Sequence, residues 1–210
     1  GKGDEIADYA MNYKGTTGNE EISNATMYFY SASVVRASAA GAEDCMIQSN
    51  TYKYYAGFNV AAIAKGELVA LQSKTFYHIT GRDKGEEVAD YTLNYSLRKN
   101  ANGTYKASDE KNVSVYFYGD STSATNRAEA ASNDDLVGQV NTYKCCIQVS
   151  SAISTMEASS DIALQSITYN NLRQEGATAD RDKGEEVADY TLNYVLQKDA
   201  DGTLYIGSDE

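Results

Sequence analysis

The chain has 210 residues, of which 42% are hydrophobic and 23% charged, and its formal charge is −12. That mix is too apolar for a disordered polymer, and the length suits one large domain or two of about 100 residues. The acidic excess repels phosphate backbones and argues against a nucleic-acid role, and no run of about 18 apolar residues offers a membrane span.

Proline and tryptophan are absent, whereas tyrosine occurs 18 times. A globular chain of this length carries about ten prolines on average. Proline cannot donate to a strand ladder, so a Pro-free, Tyr- and Thr-rich composition leans toward extended β structure. The chain opens Gly1-Lys2-Gly3, without Met or an apolar leader, which suits a processed or excised chain.

The first predicted element is a strand. In Ala7, Tyr9, Met11 and Tyr13 every second residue is apolar or aromatic, the period of a half-buried strand. A second alternating segment, Asn24 to Tyr30, follows. Ser33 to Glu43 is rich in Ala and Ser and suits short helices or loops. Ala56 to Ser73 reads as helix from its Ala, Leu and Lys, but its counterpart at 148–165 favours strand, and strand is the economical choice for both.

From residue 84 the chain repeats itself. Lys84 to Tyr95 recurs without a change as Lys183 to Tyr194, and Lys2 to Tyr13 is a diverged third copy. Asn112 to Tyr118 parallels Asn24 to Tyr30. Cys145-Cys146-Ile147-Gln148 parallels Cys45-Met46-Ile47-Gln48, and Ala163 to Ser166 parallels Ala70 to Ser73. Val113, Val115 and Phe117 are expected inward, with Ser114, Tyr116 and Tyr118 outward. Tyr143, Cys145, Ile147 and Val149 form a further candidate strand face, and Asp161 to Tyr169 another. After each of the two identical segments comes Asn102-Gly103 or Asp201-Gly202, a hairpin signal that predicts a type I′ turn.

Two phasings of the repeat are open: a circularly shifted domain closed by the last hairpin, or a last segment without partners. An isolated hairpin is marginal in water, which favours the first. The expected fold is therefore mostly β, with two tandem antiparallel sandwich-like domains at 14–110 and 111–210. Residues 1–13 are then a leading strand with no home in its own domain.

Catalytic chemistry has no visible constellation. His78 is the one histidine, and no Ser/His or Cys/His pattern surrounds it. Cys45, Cys145 and Cys146 lack zinc spacing, and they leave either buried thiols or a bridge between units or molecules. Asp199-Ala200-Asp201-Gly202 opens like a calcium loop, but Ser208 stands where the closing acid belongs. No metal or cofactor is expected. The acidic pairs Asp4-Glu5, Glu86-Glu87 and Glu185-Glu186 read as solvated turns before each strand. Asn24, Asn102 and Asn112 head glycosylation triplets that lend weak support to an extracellular setting.

These features together suggest a non-enzymatic structural protein, extracellular or at a cell surface, that assembles with copies of itself. Its leading strand, through Ala7, Tyr9, Met11 and Tyr13, would add to a neighbour's sheet. The tyrosines at 28, 30, 116 and 118 offer a contact stripe. The alternative is a carbohydrate- or protein-binding adhesin module.

Overall fold

The computed structural model describes residues 5–145 and 147–207. It is mostly β, with nine antiparallel strands in one sheet in chain order. These are β1 (Tyr9–Lys14), β2 (Glu21–Tyr30), β3 (Met46–Lys53), β4 (Leu71–His78), β5 (Val88–Lys99), β6 (Tyr105–Gly119), β7 (Leu136–Lys144), β8 (Leu164–Asn171) and β9 (Val187–Asn193). A short hairpin, β10 (Leu196–Lys198) and β11 (Leu204–Ile206), follows, and the one α-helix among the described residues is α1 (Ile147–Ala152). Among the described residues no helix is long and apolar enough to cross a membrane.

Two compact units emerge from the fold. Unit 1 runs to Glu87 and includes Thr92–Glu110; unit 2 comprises Val88–Tyr91 and everything from Lys111. The two longest strands, β5 and β6, therefore each contribute to both. The leading strand has a partner in its own chain: β1 pairs with β2, Tyr9 opposite Met27 and Asn12 opposite Asn24.

In unit 1 the strands do not face a second sheet. The core is Ala25, Met27, Phe29, Tyr52 and Leu71, and it is covered by Val34, Phe58, Val60 and Ile63 from the long connections. Those connections hold only single 3-10 turns, at Ala37–Ala39 and Val60–Ala62. The expected strands through 56–73 and 148–165 do not form: the first is mostly loop, the second holds most of α1 and a 3-10 turn at Ile153–Thr155, and β4 and β8 begin only at Leu71 and Leu164. Both are entered through an alanine in the left-handed region, Ala70 at φ 60° and Ala163 at φ 51°.

A buried polar ladder explains why the long connections stay in place. In β3, Gln48 Nε2 donates to Asn50 Oδ1 (2.7 Å), and Asn50 Nδ2 donates to Tyr52 Oη (3.1 Å) and to the Lys65 carbonyl (3.2 Å). Tyr52 Oη donates to the Glu67 carbonyl. In β7, Gln139, Asn141 and Tyr143 repeat this, reaching the Ala158 and Ser160 carbonyls. Loop carbonyls that would be orphaned on an apolar face are thereby satisfied.

That ladder corrects the cysteine alignment. The sequence counterpart of Gln48-Ser49-Asn50-Thr51-Tyr52-Lys53 is Gln139-Val140-Asn141-Thr142-Tyr143-Lys144. Cys45 therefore precedes β3, whereas Cys145 follows β7. The strand expected through Tyr143, Cys145, Ile147 and Val149 stops at Lys144 and gives way to α1.

The hairpin turns also differ from expectation. Gly103 and Gly202 have φ of +84° and +92°, but Asn102 and Asp201 do not enter the left-handed region. Gly103 N–H donates to the Asn100 carbonyl and Asn100 N–H to that of Thr104, the pattern of a type I turn closed by a glycine bulge.

Candidate assembly surface

The repeated strand is held by the same device in each unit. Arg36 follows β2 and forks Asp8: Nε donates to Oδ1 at 2.7 Å and Nη2 to Oδ2 at 2.6 Å. Its Nη1 donates to the Val60 and Ile63 carbonyls. In unit 2, Arg127 forks Asp90 at 2.9 and 2.8 Å and donates to the Ile153 and Met156 carbonyls. One guanidinium thus ties the strand to the sheet-covering loop. The Arg36 guanidinium bonding to Asp8 holds that carboxyl below its ordinary value.

A tyrosine completes each clasp. Tyr30 Oη donates to the Ala7 carbonyl and Tyr118 Oη to that of Ala89, both at 2.5 Å. Tyr30 and Tyr118, expected outward, are only 6% and 3% exposed. The reason is a register shift after Phe29 and after Phe117 that turns both successive aromatics inward. Burial raises the Tyr30 phenol to about 12. Tyr28 and Tyr116 are half-buried, and Tyr116 packs against the cluster of Val88, Tyr118, Ala128 and Ala131.

The acidic pairs are more than solvated turns. Glu87 Oε1 accepts the Met46 N–H that opens β3, and Oε2 accepts that of Gly85. Glu186 does the same for Val137 and Gly184. Asp4 lies outside the described residues.

β9 carries the same seven residues as the start of β5, Val88 to Asn94, but sits at the last edge of the sheet. Val88 is 2% exposed, packed with Tyr118, Ala128 and Ala131, whereas its counterpart Val187 is 52% exposed. Leu192 and Tyr190 are exposed as well, although the Tyr190 ring stacks on Tyr169 at 4.9 Å. Asp189 is exposed, and among the described residues no arginine reaches it. β1 is the opposite edge: Tyr9 and Tyr13 are exposed, while Met11 packs on the core.

The remaining candidate residues are dispersed. Cys45 is a free thiol. Cys45 is buried and donates to the Arg82 carbonyl, and burial raises its thiol; Cys146 lies outside the described residues. Asn24 accepts from Asn12 across β1 and β2, and Asn112 is half-buried in β6. Asn102 stands exposed at a turn, its side-chain Oδ1 accepting from the Thr104 N–H and hydroxyl. Asp201 caps its turn through Thr203 N–H, and Ser208 is outside the described residues. His78 ends β4. Among the described residues no three His, Cys, Asp or Glu side chains are grouped to hold a metal.

One aromatic hollow stands apart from the edges. Tyr54, Tyr55, Lys99 and Tyr105 line a groove of about 510 Å³ in unit 1. Phe58 packs edge-on to Tyr55, and Lys99 Nζ lies 4.8 Å over the Tyr105 ring. No family model, curated protein or solved structure matches the chain.

Proposed function

We propose that the chain is a structural, self-assembling protein of an extracellular or cell-surface setting, a filament or pilus-like subunit whose copies join by strand addition at the sheet edges β1 and β9. The observation that carries this reading is the contrast between Val88 and Val187, one repeat position buried in β5 and bare in β9. Unprotected edges with apolar side chains favour pairing with further strands. The two edge strands are different copies of one element, so the joint is head-to-tail, and such joints propagate as open filaments unless the rotation closes. Light scattering behind size exclusion tests the reading. Mass should climb in whole-chain steps with concentration; a fixed single-chain mass at all concentrations removes it.

The aromatic hollow supports a second reading, an adhesin that stacks a sugar ring against Tyr55 and Tyr105. It predicts hits on a glycan array that vanish in Tyr105→Ala, and an array without hits counts against it.

A further inference from the structure

We propose, building on the self-assembly reading, that β9 of one molecule takes the place of β1 on unit 1 of a second copy, with Asp189 entering the Arg36 fork and the Ala188 carbonyl accepting the Tyr30 hydroxyl.

The edges match. In the sheet order β5 lies between β4 and β6, β1 lies against β2, and β9 lies against β8. β8 is the repeat counterpart of β4, and β2 that of β6. The edge that β9 leaves open is therefore the one that β5 gives to β6 and β1 gives to β2.

The side chains match as well. Lys183 to Tyr194 repeats Lys84 to Tyr95 without a change, so its first residues already fit one such socket within this molecule: Val88 under Tyr118, the Ala89 carbonyl on Tyr118, and Asp90 in the Arg127 fork. Unit 1 presents the same socket groups, Tyr30 and Arg36, to Ala7 and Asp8. Val187, Asp189 and Leu192 stand where Ile6, Asp8 and Met11 stand in the first copy. Leu192 is the apolar counterpart of Met11, which packs on the unit 1 core.

Exchange also has a direction. β9 is already ordered against β8, with Ile167 opposite Leu192 and Thr168 opposite Thr191. β1 is held on one edge only, so its release returns backbone entropy that β9 has already lost. The occupant is a second copy because the socket chemistry is written in this chain, and Asp189 supplies the one charge that the Arg36 fork needs once Asp8 leaves.

A full-length staple tests the exchange. Asn12 and Asn24 are opposed across β1 and β2, with Nδ2 to Oδ1 at 2.6 Å. The double variant Asn12→Cys, Asn24→Cys, with the three native cysteines replaced by serine, fixes β1 on β2 when oxidised. Circular dichroism establishes that the fold is retained. The stapled chain should stay monomeric in light scattering and assemble again on addition of reductant. Asp189→Ala should weaken assembly of the unmodified chain about 30-fold, the scale of an interface hot spot. As a positive trace, chains carrying Asn24→Cys and chains carrying Asn193→Cys, on the same serine background, should cross-link when mixed, because Asn193 is the counterpart of Asn12. If the stapled chain assembles as well as the reduced one, or the mixed chains fail to cross-link, exchange is overturned while self-assembly stands. If neither form assembles, both fall.

Discussion

Asp90 and Asp189 occupy one position of the repeat in two environments. Asp90 is forked by an arginine whose side chain is only 16% exposed, whereas Asp189 faces solvent. Removing a carboxylate from a largely buried guanidinium strands a charge, which costs about 3 kcal/mol. Removing an exposed one costs less than about 0.5 kcal/mol. Urea denaturation of monomeric protein should show this contrast between Asp90→Ala and Asp189→Ala, and equal losses would mean that Arg127 is satisfied without its fork. The tyrosines of unit 1 predict an alkaline limit. Burial raises Tyr30 and Tyr52 to about 12 from an ordinary value of 10. The folded state then holds these protons more tightly than the unfolded chain. Their contribution is whole below pH 10 and is lost as pH rises toward 12. Absorbance of the phenolates should show a late group of tyrosines that ionise together with loss of the β signal, and fully independent ionisation would contradict the burial.

Elements are joined here by loops laid on a sheet rather than by a second sheet. In unit 2 a loop lies close on Gly138 in β7, where a Cβ would meet the Ala124 methyl at 2.1 Å and Leu172 Cδ1 at 3.1 Å. Gly138→Ala must push the loop away, at a cost of about 1–3 kcal/mol. Gly103, with open space around it, would lose only about 1 kcal/mol through its left-handed backbone. Thermal denaturation of the two variants should rank Gly138→Ala as the more damaging. The polar ladders act on the same loops. Asn50 and Asn141 are completely buried, and each bonds a loop carbonyl as well as its neighbours in the strand. The middle connections needed no strand of their own, and that is why the composition of Ala56 to Ser73 and its counterpart misled.

At the scale of the whole molecule, a formal charge of −12 sets copies against each other. Edge pairing should therefore strengthen between about 0.01 and 0.15 M salt, as the Debye length shrinks from about 30 to about 8 Å. Light scattering at the two salt levels checks this, and weaker assembly in salt would point to surface ion pairs as the adhesive. Much of the architecture was legible beforehand. The alternation in Ala89 to Leu97, the glycine turns and the threefold Lys-Gly motif determined that the chain is β-rich, that it repeats, and which residues open each strand. Periodicity reports local spacing, and these are local properties. It could not reveal the bulges that bury Tyr30 and Tyr118, nor the fork between Arg36 and Asp8, because those depend on which strands become neighbours. Nor could it show that the leading strand lies on β2. The same repeated segment buries Val88 and Thr92 in β5 and is bare throughout β9, so its role is decided by what packs against it, and only the tertiary structure holds that information.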